Sequence, residues 1–150
     1  MRVVIQRVLR SSVSINNIKK CSIVKGLVIF VGIETKDDKQ DSIWLASKIS
    51  QLRIFADKNG VMNKSIIDID GEIIVISQFT LHAKIKKGNR PSYINAAKKN
   101  QASNLYGQFK DDLSYFTSKK VYSGDFGADM QVSLVNDGPV TIVIDTKNRQ

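Results

Sequence analysis

An α+β domain, with two helices covering one face of a curved sheet, is the fold class this sequence predicts. Three observations lead to it. Segments rich in Val and Ile fill the first 33 residues, two later segments repeat apolar residues at helical spacing, and a run with apolar residues at both odd and even positions, Glu72 to Leu81, lies between those two.

Residues Arg2 to Val8, Val13 to Ile15, Ile23 to Val24 and Leu27 to Ile33 read as successive strands, divided by Asn16-Asn17 and Gly26, and predict a β-meander. From Asp38 the period changes. Asp41 is placed to cap a helix in which Ile43, Ala46, Ile49 and Leu52 recur every third residue, with Trp44 and Leu45 widening the face. Leu52 to Ala56 reads as a strand closed by Asn59-Gly60, and Ile66 to Ile69 as a short apolar stretch closed by Asp70-Gly71. Glu72 to Leu81 has apolar residues at odd and even positions, as a central strand buried on both faces requires. Pro91 opens the second helical region, where Ala102, Leu105, Tyr106, Phe109, Leu113 and Phe116 keep 3-and-4 spacing. Met130 to Asn136 and Val140 to Asp145 read as a closing hairpin, and the polar tail from Lys147 is expected to fray.

The 150 residues fit one domain, and a hydrophobic fraction of 42% supplies a core for a chain that buries roughly 70% of its unfolded surface. Lys plus Arg number 23 against 14 Asp plus Glu, a net charge of +9 that attracts polyanions such as nucleic acid. Lys84, Lys86, Lys87 and Arg90 cluster, with Lys98 and Lys99 close behind. Aromatic residues near charge are few, Tyr93 and Phe126, which favours contact with one nucleotide end over a stacking platform. A lone cysteine, Cys21, allows no internal disulfide and suits a reducing cytoplasmic setting. Arg2, Arg7 and Arg10 interrupt the N-terminal apolar residues, unlike a signal peptide, and the longest uncharged run, eleven residues, is too short for a membrane helix.

Two segments put polar residues where packing alone would not: Ser77-Gln78-Phe79-Thr80-Leu81 and Asn136-Asp137-Gly138-Pro139-Val140-Thr141. Strand alternation sends Ser77 and Phe79 to one face and Gln78, Thr80 and His82 to the other, making Thr80 and His82 neighbours. A Thr hydroxyl needs a base to become a nucleophile, and His82 is the one histidine, so a Thr-His pair is one reading. The other has Ser77, Gln78 and Thr80 satisfying backbone groups and His82 at the surface. Asp-Gly favours a hairpin turn, whereas Pro139 lacks a strand N–H and makes a cis Gly138-Pro139 bond accessible. Asp37-Asp38 and Asp111-Asp112 read as solvated charge. One Cys and one His cannot build a zinc cage, there is no GxxxxGK or GxGxxG, and the single GxxG at Gly124 to Gly127 is too short to mark a KH-type module.

On these two segments the sequence resembles the D-aminoacyl-tRNA deacylases, formerly D-tyrosyl-tRNA deacylases, whose two signature motifs they match. Further matches are Val4-Ile5-Gln6-Arg7-Val8, Gly88-Asn89-Arg90-Pro91 and Phe126-Gly127-Ala128-Asp129-Met130-Gln131. The resemblance implies mostly antiparallel, barrel-like layered sheets with the two helices on one face, in a cytoplasmic homodimer. It implies a hydrolase that frees a D-amino acid or glycine from the 3′-terminal adenosine of tRNA and rejects L-aminoacyl-tRNA, with no metal or cofactor. Gly138-Pro139 is then a cis dipeptide reaching into the partner's site, held by Arg7 and excluding L-amino acids sterically. Ser77, Gln78, Phe79 and Thr80 line the aminoacyl pocket and supply backbone donors, and Phe126 and Met130 bind the adenine. The resemblance assigns proton handling to the tRNA 2′-hydroxyl, with Thr80 as the alternative nucleophile. Two other classes compete: a non-catalytic basic module that binds RNA or DNA by charge, and an esterase dependent on Thr80 and His82.

Overall fold

The computed structural model describes residues 1–86 and 88–149. Its spine is β1 (Arg2–Ile15), whose Val3, Ile5, Val8 and Val13 are buried. Asn16 and Asn17 take positive φ, 50° and 62°, and turn the chain back as β2 (Ile18–Ile23) on the C-terminal half of β1. β3 (Gly26–Gly32) pairs with the N-terminal half of the same strand, Arg2 opposite Gly32. The meander is therefore corrected. Leu9 to Ser12 extend the ladder across what reads as a gap, so one long strand carries both neighbours.

Helix α1 (Lys39–Gln51) is capped by Asp38, whose carboxylate accepts the Gln40 and Asp41 N–H groups while Asp41 reaches back to the Asp38 N–H. Asp41 is thus inside the first turn, and the buried stripe runs through Ser42, Leu45, Ala46 and Ile49. Asp37, expected in solvent, is buried and accepts from the Met1 ammonium and the Glu34 N–H. The strand expected over Leu52 to Ala56 contracts to β4 (Phe55–Ala56), which folds over Asn59-Gly60 onto β5 (Met62–Lys64).

β6 (Glu72–Ser77) is buried on both faces as read, but it ends at Ser77. Helix α2 (Lys99–Thr117) buries Tyr106, Phe109 and Leu113 and leads to β7 (Val121–Ser123), too short to read from sequence. Most strand pairs are antiparallel as expected, but β6 is parallel to both β3 and β7, which makes the sheet mixed, of order β2-β1-β3-β6-β7. Parallel pairs need crossovers, and α1 and α2 supply them. Both helices pack on one face, where Leu45, Ile49, Tyr106, Phe109 and Leu113 meet Val3, Ile5, Leu27, Ile29, Ile73 and Val75. On the other face Val8, Val13, Val28, Ile74 and Ile76 form a second core. The sheet curls until β2 nears β7, the Cys21 thiol donating to the Ser123 carbonyl at 3.7 Å, which nearly closes a barrel.

β8 (Gln131–Asp145) corrects the closing hairpin: residues on both sides of Asn136 to Pro139 pair with the same strand, β1. The tail is also anchored. Thr146 is buried, Lys147 Nζ donates to Asp41 Oδ2 at 2.6 Å, and the Arg149 guanidinium lies 4.2 Å from the Trp44 ring centroid.

Burial works to raise the Asp41 carboxyl, but the Lys147 ammonium and the Asp38 N–H outweigh it and hold it below its ordinary range. A carboxyl depressed on folding stabilises above its unfolded value and loses that contribution as pH falls through its folded one. The midpoint of thermal unfolding should therefore fall below about pH 4, where free carboxylates titrate, and Asp41→Asn should lower the pH 7 midpoint and flatten this acid limb. An unchanged acid limb would exclude the anchor.

Candidate active site

The strand-to-turn change after Ser77 builds the site. Gln78 N–H donates to the Val31 carbonyl at 2.7 Å, and Phe79–His82 then form one 3₁₀ turn closed by Leu81 N–H on the Gln78 carbonyl at 3.2 Å. The first N–H groups of a helical turn have no partner within it. Neither the Phe79 nor the Thr80 N–H has a hydrogen-bond partner among the described residues. Phe79 is 58% exposed, edge-on to Tyr93 at 4.9 Å between centroids.

The turn also corrects the strand alternation through His82. His82 is 6% exposed rather than at the surface, and its Nε2 has no partner among the described residues. The Thr80 hydroxyl accepts instead from Gln78 Nε2. The hydrogen bond that a Thr-His pair needs is not made.

A cavity of about 520 Å³ opens beside this turn, lined by Ser77, Gln78 and Phe79 on one side and Phe126, Gly127 and Met130 on the other. The Ser77 hydroxyl accepts from the Gly127 N–H at 3.4 Å, joining the two sides. Behind them Phe126 leans on Tyr106, ring centroids 5.4 Å apart, and burial pushes the Tyr106 phenol up to about 12 while its hydroxyl donates to the Val75 carbonyl at 2.8 Å. That wall keeps one protonation state near neutral pH. Met130 sulfur occupies the space where a Cβ on Gly124 would stand.

Sequence reasoning missed Lys99, in the first turn of α2, which also lines the cavity. A single lysine beside Lys98 carries no signal that separates it from solvated charge. Lys84 and Lys86 are exposed in a loop closed by paired Lys84 and Ser92 backbone groups, and Lys87 lies outside the described residues.

Gly138-Pro139 is cis. Arg7 alone stands opposite the four residues Asp137 to Val140, between the pairs Gln6–Thr141 and Val8–Asn136. Its side chain is 11% exposed, and its Nε donates to the Asp137 carbonyl at 3.2 Å while Nη1 donates to the Ile54 carbonyl. Gly138 has φ +117°, and a Cβ there would lie 3.0 Å from Arg7 Nη2. Both residues of the dipeptide are exposed and neither lines the cavity of its own chain.

No described helix is long and apolar enough to cross a membrane. Among the described residues no three His, Cys, Asp or Glu side chains group closely enough to hold a metal ion.

A family model described as D-Tyr-tRNA(Tyr) deacylase matches residues 4–145. D-aminoacyl-tRNA deacylases of Bacteroides fragilis (strain YCH46) and Phocaeicola vulgatus are 61% and 57% identical over 150 residues, the whole of each chain. Among solved structures, one described as c-Myc DNA Unwinding Element Binding Protein superposes with a TM-score of 0.90 at 36% identity, covering 97% of this chain and 98% of that one. A second, described as a probable eukaryotic D-amino acid tRNA deacylase, superposes with a TM-score of 0.82 over 95% of this chain and 97% of its own, and at 16% identity speaks to the fold alone.

Proposed function

The chain belongs to the D-aminoacyl-tRNA deacylase family and has that hydrolase activity, and from this premise we propose how its residues divide the reaction. Residues 1–150 act as one deacylase domain on the 3′ end of D-aminoacyl-tRNA or glycyl-tRNA. The ester carbonyl lies against the turn at Phe79 and Thr80, and their two unbonded N–H groups receive the oxyanion that forms when water attacks. The bond to the ribose oxygen then breaks, and the neighbouring 2′-hydroxyl handles the proton. The pair of unbonded donors in the turn carries this reading; Phe79 lines the cavity, and Thr80, the next residue of the turn, is not part of its lining.

Ser77 and Gln78 hold that wall, the first through Gly127 and the second through Thr80. Phe126 and Met130 take the adenine. Lys99 and Asp129, the charged residues of the lining, complement the phosphodiester and the α-ammonium of the substrate end. Lys84 and Lys86 meet phosphates farther along the tRNA.

Chirality is tested by Gly138-Pro139 of a second copy, seated by Arg7 of that copy. Two observations support a homodimer: the dipeptide is exposed outside its own cavity, and β8 pairs with β1 along one edge only. A long open edge calls for cover. A backbone wall against the α-carbon excludes an L side chain and admits glycine, which has none. The site of action is cytoplasmic, in keeping with the lone thiol.

Single-turnover deacylation of matched D-Tyr-tRNA and L-Tyr-tRNA tests this, with release of the D form alone as the expected result. Thr80→Ala should slow release by less than about tenfold, whereas loss of a true nucleophile costs on the order of 10⁶-fold. A loss of that size would reinstate the threonine esterase.

A further inference from the structure

One row across three strands lies directly beneath the 3₁₀ turn. Arg2 on β1 stands opposite Gly32 on β3 and opposite Asp145 on β8. A Cβ on Gly32 would come within 2.9 Å of the Gln78 carbonyl oxygen and 3.0 Å of both the Leu81 Cβ and the His82 ring. The turn therefore rests on Gly32, at the end of β3, where a side chain is missing. Beside that seat, Arg2 Nη1 donates to the Leu81 carbonyl at 2.8 Å. The same guanidinium is oriented from its other side, Nε and Nη2 both donating to Asp145 Oδ2 at 3.0 and 2.8 Å.

We propose that Arg2 is a positioning residue for deacylation: oriented by Asp145, it holds the Leu81 carbonyl and thereby fixes the turn, seated on Gly32, that aims the Phe79 and Thr80 N–H groups. This rests on the reading of those two N–H groups as the oxyanion donors. The guanidinium suits the task because its planar fork engages a carboxylate and a carbonyl at once, which a lysine ammonium on a flexible stem cannot reproduce. The Arg2 and Asp145 side chains are 39% and 19% exposed. Ion pairs this open to solvent contribute little to global stability. The arrangement instead ties the end of β8, the strand carrying Gly138-Pro139, to the turn carrying the donors. Oxyanion donors act through fixed direction, and a misplacement of about 1 Å can cost on the order of 100-fold in rate.

The test compares wild type, Arg2→Met, Arg2→Lys and Asp145→Asn in single-turnover deacylation of D-Tyr-tRNA across a range of enzyme concentrations, so that the maximal rate constant and the half-saturating concentration are separated. Melting temperatures are taken in parallel. The expected result is a maximal rate constant lower by about 10- to 100-fold in Arg2→Met and Arg2→Lys, with half-saturation within about threefold. Melting should shift by less than about 4 °C. Asp145→Asn should lower the rate in the same sense and add little to Arg2→Met, because both act through one contact. A wild-type rate constant in Arg2→Lys, or a loss confined to half-saturation, would overturn the proposal and make Arg2 a tRNA contact. Should Arg2→Met fail to fold, Asp145→Asn decides by the same criterion.

Phe79→Pro beside Phe79→Ala keeps the two levels apart. If removing the Phe79 N–H is harmless, the donor reading itself fails; if it is crippling while both Arg2 variants keep the wild-type rate constant, only the positioning role fails.

Discussion

Gly138→Ala should lower the single-turnover rate on D-Tyr-tRNA by about 100-fold, the cost of misplacing a reacting group by roughly 1 Å, and should leave the protein folded. The added methyl meets two constraints at once. The backbone there has φ +117°, which L side chains rarely adopt, and the new Cβ lies 3.0 Å from Arg7 Nη2 and 3.2 Å from Val140 Cγ2. Backbone strain of this kind costs about 1–3 kcal/mol, enough to displace an exposed dipeptide and too little to unfold a domain. The variant tests the chiral wall because Gly138 lines no part of its own chain's cavity. Wild-type rates on D-Tyr-tRNA, with an unchanged preference for D over L, would remove Gly138 from the mechanism.

Phe79→Pro should cost more. Phe79 is the first residue of the 3₁₀ turn, a place where proline is tolerated because the N–H it lacks has no partner within the turn. Compared with Phe79→Ala, which loses the same ring but keeps the N–H, it should lower the maximal rate by about 10²- to 10³-fold, the effect of deleting one oxyanion donor. Mixing chains joins the two experiments. In a two-fold dimer with the wall supplied across the interface, Gly138→Ala and Phe79→Pro chains together should recover about a quarter of wild-type activity, since half the dimers are mixed and each has one intact site. No recovery after verified exchange would place wall and cavity on one chain.

Several of these parts were legible in the sequence, and others were hidden for identifiable reasons. Both helices showed their period; in α1 Ala46 and Ile49 are buried as read, while Ser42 and Leu45 complete the stripe in place of Ile43 and Leu52. Arg7 continues the alternation Val3, Ile5, so a charge at an inward position is a local signal beside the motif match. Burial of Glu72 to Ser77 on both faces was readable, but strand direction is not encoded in burial, and the parallel partners were missed. Asp137-Gly138 gives the same signal in a hairpin and in a bulge; only the ladder of β1 tells them apart. Asp37 reads as solvent-facing until the fold brings the Met1 ammonium to it from 36 residues away. The unbonded N–H groups at Phe79 and Thr80 belong to the backbone, and no side-chain pattern announces them.

The bulge in β8 has a consequence for length. Loop tips accept inserted residues because nothing downstream depends on their count. Here Val135 and Asn136 are paired with Arg10 and Val8 on one side, and Thr141 with Gln6 on the other, all on a single strand. Adding one residue between Asn136 and Thr141 either enlarges the bulge beyond the reach of Arg7 or shifts the pairing by one, and a shift of one turns every following side chain to the opposite face. The Val140, Ile142 and Ile144 side chains that now pack toward the helix-side core would turn outward. The number of residues in this segment is therefore fixed by the pairing on either side of it, apart from any demand on their identities.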